Sequence, residues 1–408
     1  MTGQRLHTLL QGLFRIGVLV TLCIAPTQWS LEPRPKFHLS PADLTLALAA
    51  CVWLLDILVT RDWRRLLRLP PWPNLLFLAC VCASALSAPD KGAALKDLVQ
   101  YSEYFLVGSM LFAAFLRDDV RATRRALALL AVSAAFILSL ALVHYFSAGT
   151  TNLLVRGTFG NRNVLGGFLA LALPLCFSGV VGARGLSLKA KAALAALVLA
   201  GLTVSLSGAS YFAVAVVIAG MAAARGPRLF IPVAALLLAW QVCVLPRLPR
   251  ENDLAHFQSV ALYDGHGNVE RRYPDWQAAY SMALTHPWLG VGLGNYQKHI
   301  GQYYDNIPRQ TGPSEPDIQN LYLVLAASAG VPALLAFLAI LVAAVHAALT
   351  LPHRSALALG VAGSVCGFGL VAVWHPLLVR GIGLPLVFLL ALAHRLAEIP
   401  PTDTKQGI

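Results

Sequence analysis

The residues of this chain whose types and spacing could do chemistry are mostly basic, and they gather in a few places. The stretch VRGTFGNRNVLGG sets Arg156 and Arg162 around Gly157, Gly160, Asn161 and Asn163. A second stretch, RRYPDW, places Arg271 and Arg272 just ahead of Pro274 and Trp276. An arginine is a planar cation with five donors, and glycine lets backbone N–H groups approach a ligand, so both stretches suit a phosphate or diphosphate. A plainer reading of the first stretch is a connector, in which glycine permits a turn, Asn163 caps the next helix and the arginines answer headgroup phosphates. The residues alone leave both readings open. His375 and Arg380 form a smaller set in a short turn between apolar runs, where ionisable groups at membrane depth are functional candidates. Snorkelling to the headgroups accounts equally well for Arg380.

Proton-accepting candidates are fewer. Glu315 and Asp317 stand just upstream of Gln319, Asn320 and Tyr322, and a carboxylate near an arginine cluster stays ionised and can take a proton. As solvated loop acids they need no function. His286 precedes a proline and reads first as a helix-ending residue. Trp276, Ala279, Tyr280, Ala283 and Leu284 recur at helical spacing, which predicts an amphipathic helix starting at Pro274 and lying on the bilayer surface or over the bundle. Gly290, Gly292 and Gly294 then make a tight turn. No strand precedes this glycine run and Asn295 stands where a sixth-position glycine is needed, so it is not a dinucleotide fingerprint. Asp305, Glu315 and Asp317 lack the spacing of an acidic metal motif, so no metal or other cofactor is expected.

These groups must be held by elements that the composition constrains strongly. A 408-residue chain with 57% hydrophobic and 12% charged residues and a mean hydropathy of +0.67 belongs among multi-span membrane proteins. One polytopic domain over residues 1–408 is the expectation. The net charge of +12 does not indicate nucleic acid here, because Lys and Arg are strung between apolar runs, where they meet anionic headgroups and fix orientation. The seven cysteines lie in or beside apolar runs and show neither disulfide nor metal spacing. Apolar runs near 9–26, 41–60, 72–88, 97–116, 124–146, 163–182, 188–206, 209–224, 228–245, 320–349, 354–374 and 377–397 predict an all-α integral membrane protein of about twelve transmembrane helices. The first run lacks a convincing cleavage site and is taken as an uncleaved span. If the N-terminus is cytoplasmic, the inward gaps carry most of the short-loop Lys and Arg. Both termini are therefore expected in the cytoplasm, with the large loop near 246–319, between spans nine and ten, on the periplasmic side.

Three segments in order, GTFGNRNVLGGFLALALPL, the R-x-x-x-W-x-x-A run ending HPWLGVGLGNY, and QNLYLVLAASAGVPALL, resemble the bacterial O-antigen ligase and O-antigen polymerase superfamily. The opening third, including SALSAPDKGAALKDLVQYSEYFLVG, is similar in style. The resemblance covers most of the chain. It implies a glycosyltransferase of the bacterial inner membrane, working on the periplasmic side with an undecaprenyl-diphosphate-linked glycan as donor. A ligase passes the glycan to lipid A core, whereas a polymerase passes it to another lipid-linked unit. In that setting Arg156, Arg162, Arg271, Arg272 and Arg380 are the diphosphate-binding candidates. Gln319, Glu315, Asp317 and His375 are the catalytic ones, and Asn161, Asn163, Trp276, Tyr280, His286, Asn320 and Tyr322 shape the site. No metal is required, since arginines can stabilise the leaving group.

The chain departs from the family pattern in three places. The family usually has a histidine, thought to be the base, where this chain has Gln319, which takes no proton at neutral pH. It often has proline where this chain has Arg162, an added cation. It tends to carry Ser-Arg near the eighth span, where this chain reads Leu206-Ser207-Gly208-Ala209. The first departure keeps a non-catalytic, glycan-binding relative as an alternative to ligase and polymerase. A transporter would call for internal repeats, and no convincing one is present. Between the two transferases, a compact loop and a chain with few aromatic residues to grip a long glycan favour ligase.

Overall fold

Backbone groups in hydrocarbon must be satisfied within their own segment, so long Leu-, Ala- and Val-rich runs fold as helices. The computed structural model describes residues 3–28, 31–34, 37–118, 120–147, 156–182, 186–204, 207–244, 268–304, 318–350 and 355–398. Its helices are α1 (Gly3–Ile24), α2 (Pro41–Thr60), α3 (Trp72–Ser87), α4 (Lys91–Ser102), α5 (Ser109–Asp118), α6 (Val120–Ser147), α7 (Arg162–Gly182) and α8 (Leu188–Val204). They continue as α9 (Gly208–Ala224), α10 (Pro227–Ala239), α11 (Asn268–Thr285), α12 (Leu321–Ala329), α13 (Val331–Leu349), α14 (Ala356–Ala372) and α15 (Gly383–Glu398). A π-helical turn at Glu103–Gly108 joins α4 to α5. A short antiparallel hairpin, β1 (Leu31–Arg34) with β2 (Phe37–Leu39), is the one departure from the expected all-α fold among the described residues.

Each of the twelve apolar runs overlaps a helix among the described residues, though the last helix begins only at Gly383, and not every helix is long enough to cross a bilayer. Six stretches are long and apolar enough: Gln4–Ile24, Pro41–Thr60, Lys91–Arg117, Arg121–Ser147, Arg162–Gly182 and Val331–Leu349. Trp72–Ser87, Gly208–Ala224, Pro227–Cys243 and Ala356–Ala372 are apolar but shorter. At about 1.5 Å per residue the 16 residues of α3 extend only about 24 Å, short of a hydrocarbon core of roughly 30 Å. The run expected at 320–349 is two helices broken at Gly330.

Helix α7 is the axis of the bundle, with 78% of its apolar stretch buried against 28–44% for the other five candidate spans. Helix α14 lies directly on it. Gly367 makes that approach possible, since a Cβ there would sit 2.7 Å from the Ala170 carbonyl oxygen, and Ser364 Oγ donates to the Leu171 carbonyl at 2.6 Å. Small residues and an interhelical hydrogen bond are how helices associate where lipid supplies no hydrophobic drive.

Outside the bundle, α11 packs through Ala278, Ala279 and Met282 against Ile300, Tyr304, Ile318 and Ala327, forming a second apolar core. The expected face is thus corrected. Tyr280 and Leu284 are exposed, at 56% and 62%, while Ala279 and Ala283 are buried with Ala278 and Met282. Small residues form the packed face because α11 lies close against α12 and the segment around Ile300 and Tyr304. The helix also starts before Pro274, at Asn268. Beyond it, the turn at 287–294 is clamped between two other segments. Val291 N donates to the Ala327 carbonyl at 2.9 Å, and Val331 N to the Pro287 carbonyl at 2.8 Å. Ser84 Oγ bonds the carbonyls of both Leu289 and Ser328, and the Asn295 side chain bonds both backbone groups of Asp90. At Gly290 and Gly330 φ is positive and a Cβ would strike backbone at 2.4 Å and 2.3 Å, so glycine is required twice over.

Candidate active site

Helix α7 begins where the first basic stretch ends. Asn161 Oδ1 accepts from Val164 N at 2.9 Å, and its carbonyl accepts from Leu165 N. Asn161 is therefore the cap and Arg162 the first helical residue, which corrects the expectation that Asn163 caps this helix. Asn163 is half-buried, one residue further in. The preceding loop is fixed from outside, with Thr158 Oγ1 donating to the Pro26 carbonyl at 2.8 Å and Gly160 N to Gln28 Oε1 at 2.5 Å. Arg162 thus stands at the positive end of a 21-residue helix.

Arg272, near the start of α11, donates from Nη1 to the Trp374 carbonyl at 3.0 Å. One turn on, the Trp276 ring lies 5.5 Å from that of Trp374. The next residue, His375, is buried in the turn after α14, and its Nε2 is 3.3 Å from Ser207 Oγ at the start of α9. Residues from α7, α9, α11 and the turn after α14 therefore share one place. Burial, then the Arg272 charge, then the Arg162 charge push the His375 imidazole down to about 3, so it is neutral at physiological pH. Burial and the charge of Arg162 also lower the Arg272 guanidinium from its usual range, though arginine keeps its proton. Two cations whose charges act on one another and on His375, with no carboxylate acting on Arg272 or His375 among the described residues, favour an anion beside them.

The remaining candidates divide. Asn320 caps α12, its Oδ1 accepting from Tyr322 N at 2.9 Å and Leu323 N at 3.1 Å, and Tyr322 OH donates to the Gly369 carbonyl on α14 at 2.7 Å. Gln319 Oε1 and Trp276 Nε1 are buried with no hydrogen-bond partner among the described residues. Arg156 is exposed, and Arg380 donates from Nε to Asp43 Oδ2 at 3.0 Å, with Glu103 beside that pair. Arg380 thus has a carboxylate neighbour, whereas none acts on Arg272 among the described residues. His286 lies past the far end of α11, about 21 Å along the helix from Arg272, with its ring against Tyr303. Tyr280 points away from the packed face. The Arg271 side chain, Glu315 and Asp317 lie outside the described residues. No group of three or more His, Cys, Asp or Glu that could hold a metal ion occurs among the described residues.

Sequence reasoning passed over Trp374 and Asp43, and noted Ser207 only as part of a departure from the family pattern. Ser207 carries a helix-start signal and Asp43 completes the capping box of Ser40, with Ser40 N donating to Asp43 Oδ2 at 2.9 Å. Neither signal tells of a partner distant in the chain. What the arrangement can do is bind a phosphorylated group between Arg162 and Arg272, beside an imidazole with an available lone pair. Residues 161–338, which include Arg162, Arg272 and Gln319, match the family described as O-Antigen ligase. No curated protein matches the chain.

Proposed function

We propose that this chain, a member of the O-antigen ligase and polymerase superfamily, is a periplasmic-face glycosyltransferase that moves a glycan from undecaprenyl diphosphate to an acceptor hydroxyl. The observation that carries the reading is the approach of Arg162 and Arg272 to each other beside His375. In this reading the diphosphate sits between the two guanidiniums. The acceptor oxygen attacks the anomeric carbon and the new C–O bond forms. The old bond to the diphosphate breaks, its electron pair leaves on undecaprenyl diphosphate, and the acceptor proton passes to His375. The arginines take the charge of the leaving group, a role that needs no metal.

Gln319 cannot be the base, and of the described candidates His375 is the one at the cations. Its depressed proton affinity keeps the ring neutral, with a lone pair available, before donor binds. Docking a dianion cancels the field of Arg162 and Arg272, so His375 becomes more basic once donor is bound. The membrane arrangement that goes with this reading is twelve spans, both termini in the cytoplasm of a bacterial inner membrane, and the 246–319 loop in the periplasm. Lipid A core is the proposed acceptor, because the chain has few aromatic residues to grip a long glycan; polymerisation is the second reading, and loss of the gene separates them. Uncapped lipid-linked polymer supports ligation, and single repeats on the acceptor support polymerisation.

The direct test uses purified protein with lipid-linked donor and acceptor. Transfer should be lost in Arg272→Ala, by on the order of 10²–10³-fold, and in His375→Ala. Binding of donor without any transfer by the unaltered protein would favour a glycan-binding relative over an enzyme. Full activity in Arg272→Ala would refute the diphosphate site.

A further inference from the structure

The serine at the start of α9 does not do what its position offers. Ser207 has the extended backbone of an N-cap residue, with φ −88° and ψ 110°, yet its side chain makes no capping hydrogen bond. A serine in that position ordinarily accepts from a first-turn N–H, a contact worth about 1 kcal/mol. Here Oγ turns instead to His375 Nε2 at 3.3 Å, across 168 residues of chain, and both residues are buried, at 5% and 3% exposure. The two charged groups that act on His375 are Arg272 from α11 and Arg162 from α7, and Ser207 is the uncharged contact from α9.

A neutral imidazole has one N–H and one lone pair, and the bond made by one nitrogen decides the state of the other. If Ser207 donated into Nε2, the ring would carry its proton on Nδ1 and have no lone pair left for a substrate. If Nε2–H donates to Ser207 Oγ, Nδ1 is the free base, and the bond survives when the ring is protonated. Since Oγ is not spent on capping, its lone pairs are available for this. We infer that Ser207 is a positioning residue that holds His375 as the Nε2–H tautomer and leaves Nδ1 to take the acceptor proton. The inference rests on the transfer reading above, in which His375 is the base, and supplies the third group that orients a base in other hydroxyl-activating sites.

Two measurements test it. In full-length protein labelled with 15N-histidine, with the His375 signal assigned by its loss in His375→Gln, the Nδ1 resonance at neutral pH should be that of an unprotonated nitrogen and Nε2 that of an N–H. Ser207→Ala should mix the two tautomers, and Ser207→Thr, which keeps the hydroxyl, should restore the pattern. The reverse pattern in the unaltered protein, or no change in Ser207→Ala, overturns the inference whether or not transfer is observed. In the transfer assay, Ser207→Ala should lower kcat by between about 10-fold and the roughly 10²–10⁴-fold that a positioned base supplies, with donor KM unchanged and activity restored in Ser207→Thr. Loss of activity in His375→Ala with full activity in Ser207→Ala would sink the positioning role alone. Full activity in both would sink the base as well.

Discussion

Arg162→Gln separates what the bundle wants from what the site wants. A cation in the first turn of a helix faces the positive end of the macrodipole, which costs about 0.3–1 kcal/mol. It also repels Arg272, whose guanidinium is lowered by that charge. Glutamine keeps the first methylenes of the side chain, and Asn161, not residue 162, supplies the cap of α7. Removing the charge should therefore leave stability unchanged or raise it by up to about 1 kcal/mol. The same change removes one of the two cations that hold the diphosphate, so turnover should fall on the order of 10²–10³-fold, or about 2.7–4 kcal/mol of transition-state stabilisation. Thermal unfolding in detergent, followed by tryptophan fluorescence, reads the first quantity. Transfer from the lipid-linked donor, together with binding of undecaprenyl diphosphate alone, reads the second. The reasoning fails if Tm and turnover drop together, since Arg162 would then be a packing residue, or if binding and turnover are both untouched.

Three further outcomes follow from other contacts. Asp43→Asn removes the carboxylate from Arg380 and half of the capping box of α2, and should cost roughly 1–3 kcal/mol in detergent unfolding. Gly330→Ala forces a Cβ against the Trp288 carbonyl at a backbone φ of +88°, and should destabilise by about 1–3 kcal/mol or more, seen as loss of folded protein on size exclusion. His375 is held near 3 in the fold against an ordinary 6.5, so the unfolded chain binds the extra proton between those values. Stability should be flat above about pH 6.5 and decline below it by up to about 1.4 kcal/mol per pH unit, and His375→Gln should remove that decline in denaturant titrations at pH 7.5 and 4.5.

Most of the bundle was legible because hydrocarbon allows a segment little choice, and each apolar run carries a helix among the described residues. The run at 320–349 misled because Gly330 is one residue in a continuous hydropathy signal, and only the turn carrying Trp288 explains why the helix must stop there. The face of α11 misled for a related reason. Periodicity finds a stripe of large apolar residues, but Tyr280 and Leu284 point outward while Ala278, Ala279 and Met282 pack, because a close neighbour selects small side chains over large ones. At the site, the types of Arg162, Arg272 and His375 marked them as candidates. Their meeting depends on contacts more than 100 residues apart, such as Arg272 to Trp374, and no local pattern encodes those. Arg380 looked like its fellow cations until Asp43, far earlier in the chain, proved to be its partner.

The fixed break at Gly330 makes α12 a ruler. Its lower end is held by the Pro287 and Ala327 contacts, and its upper end carries Asn320 and Gln319. Nine residues at about 1.5 Å each set those groups roughly 14 Å from the break. One inserted residue would lift Gln319 by about 1.5 Å and swing it through about 100°. Between these two marks the number of residues is under tighter constraint than their identity, and a single-residue deletion in α12 should do more harm than several apolar exchanges along it.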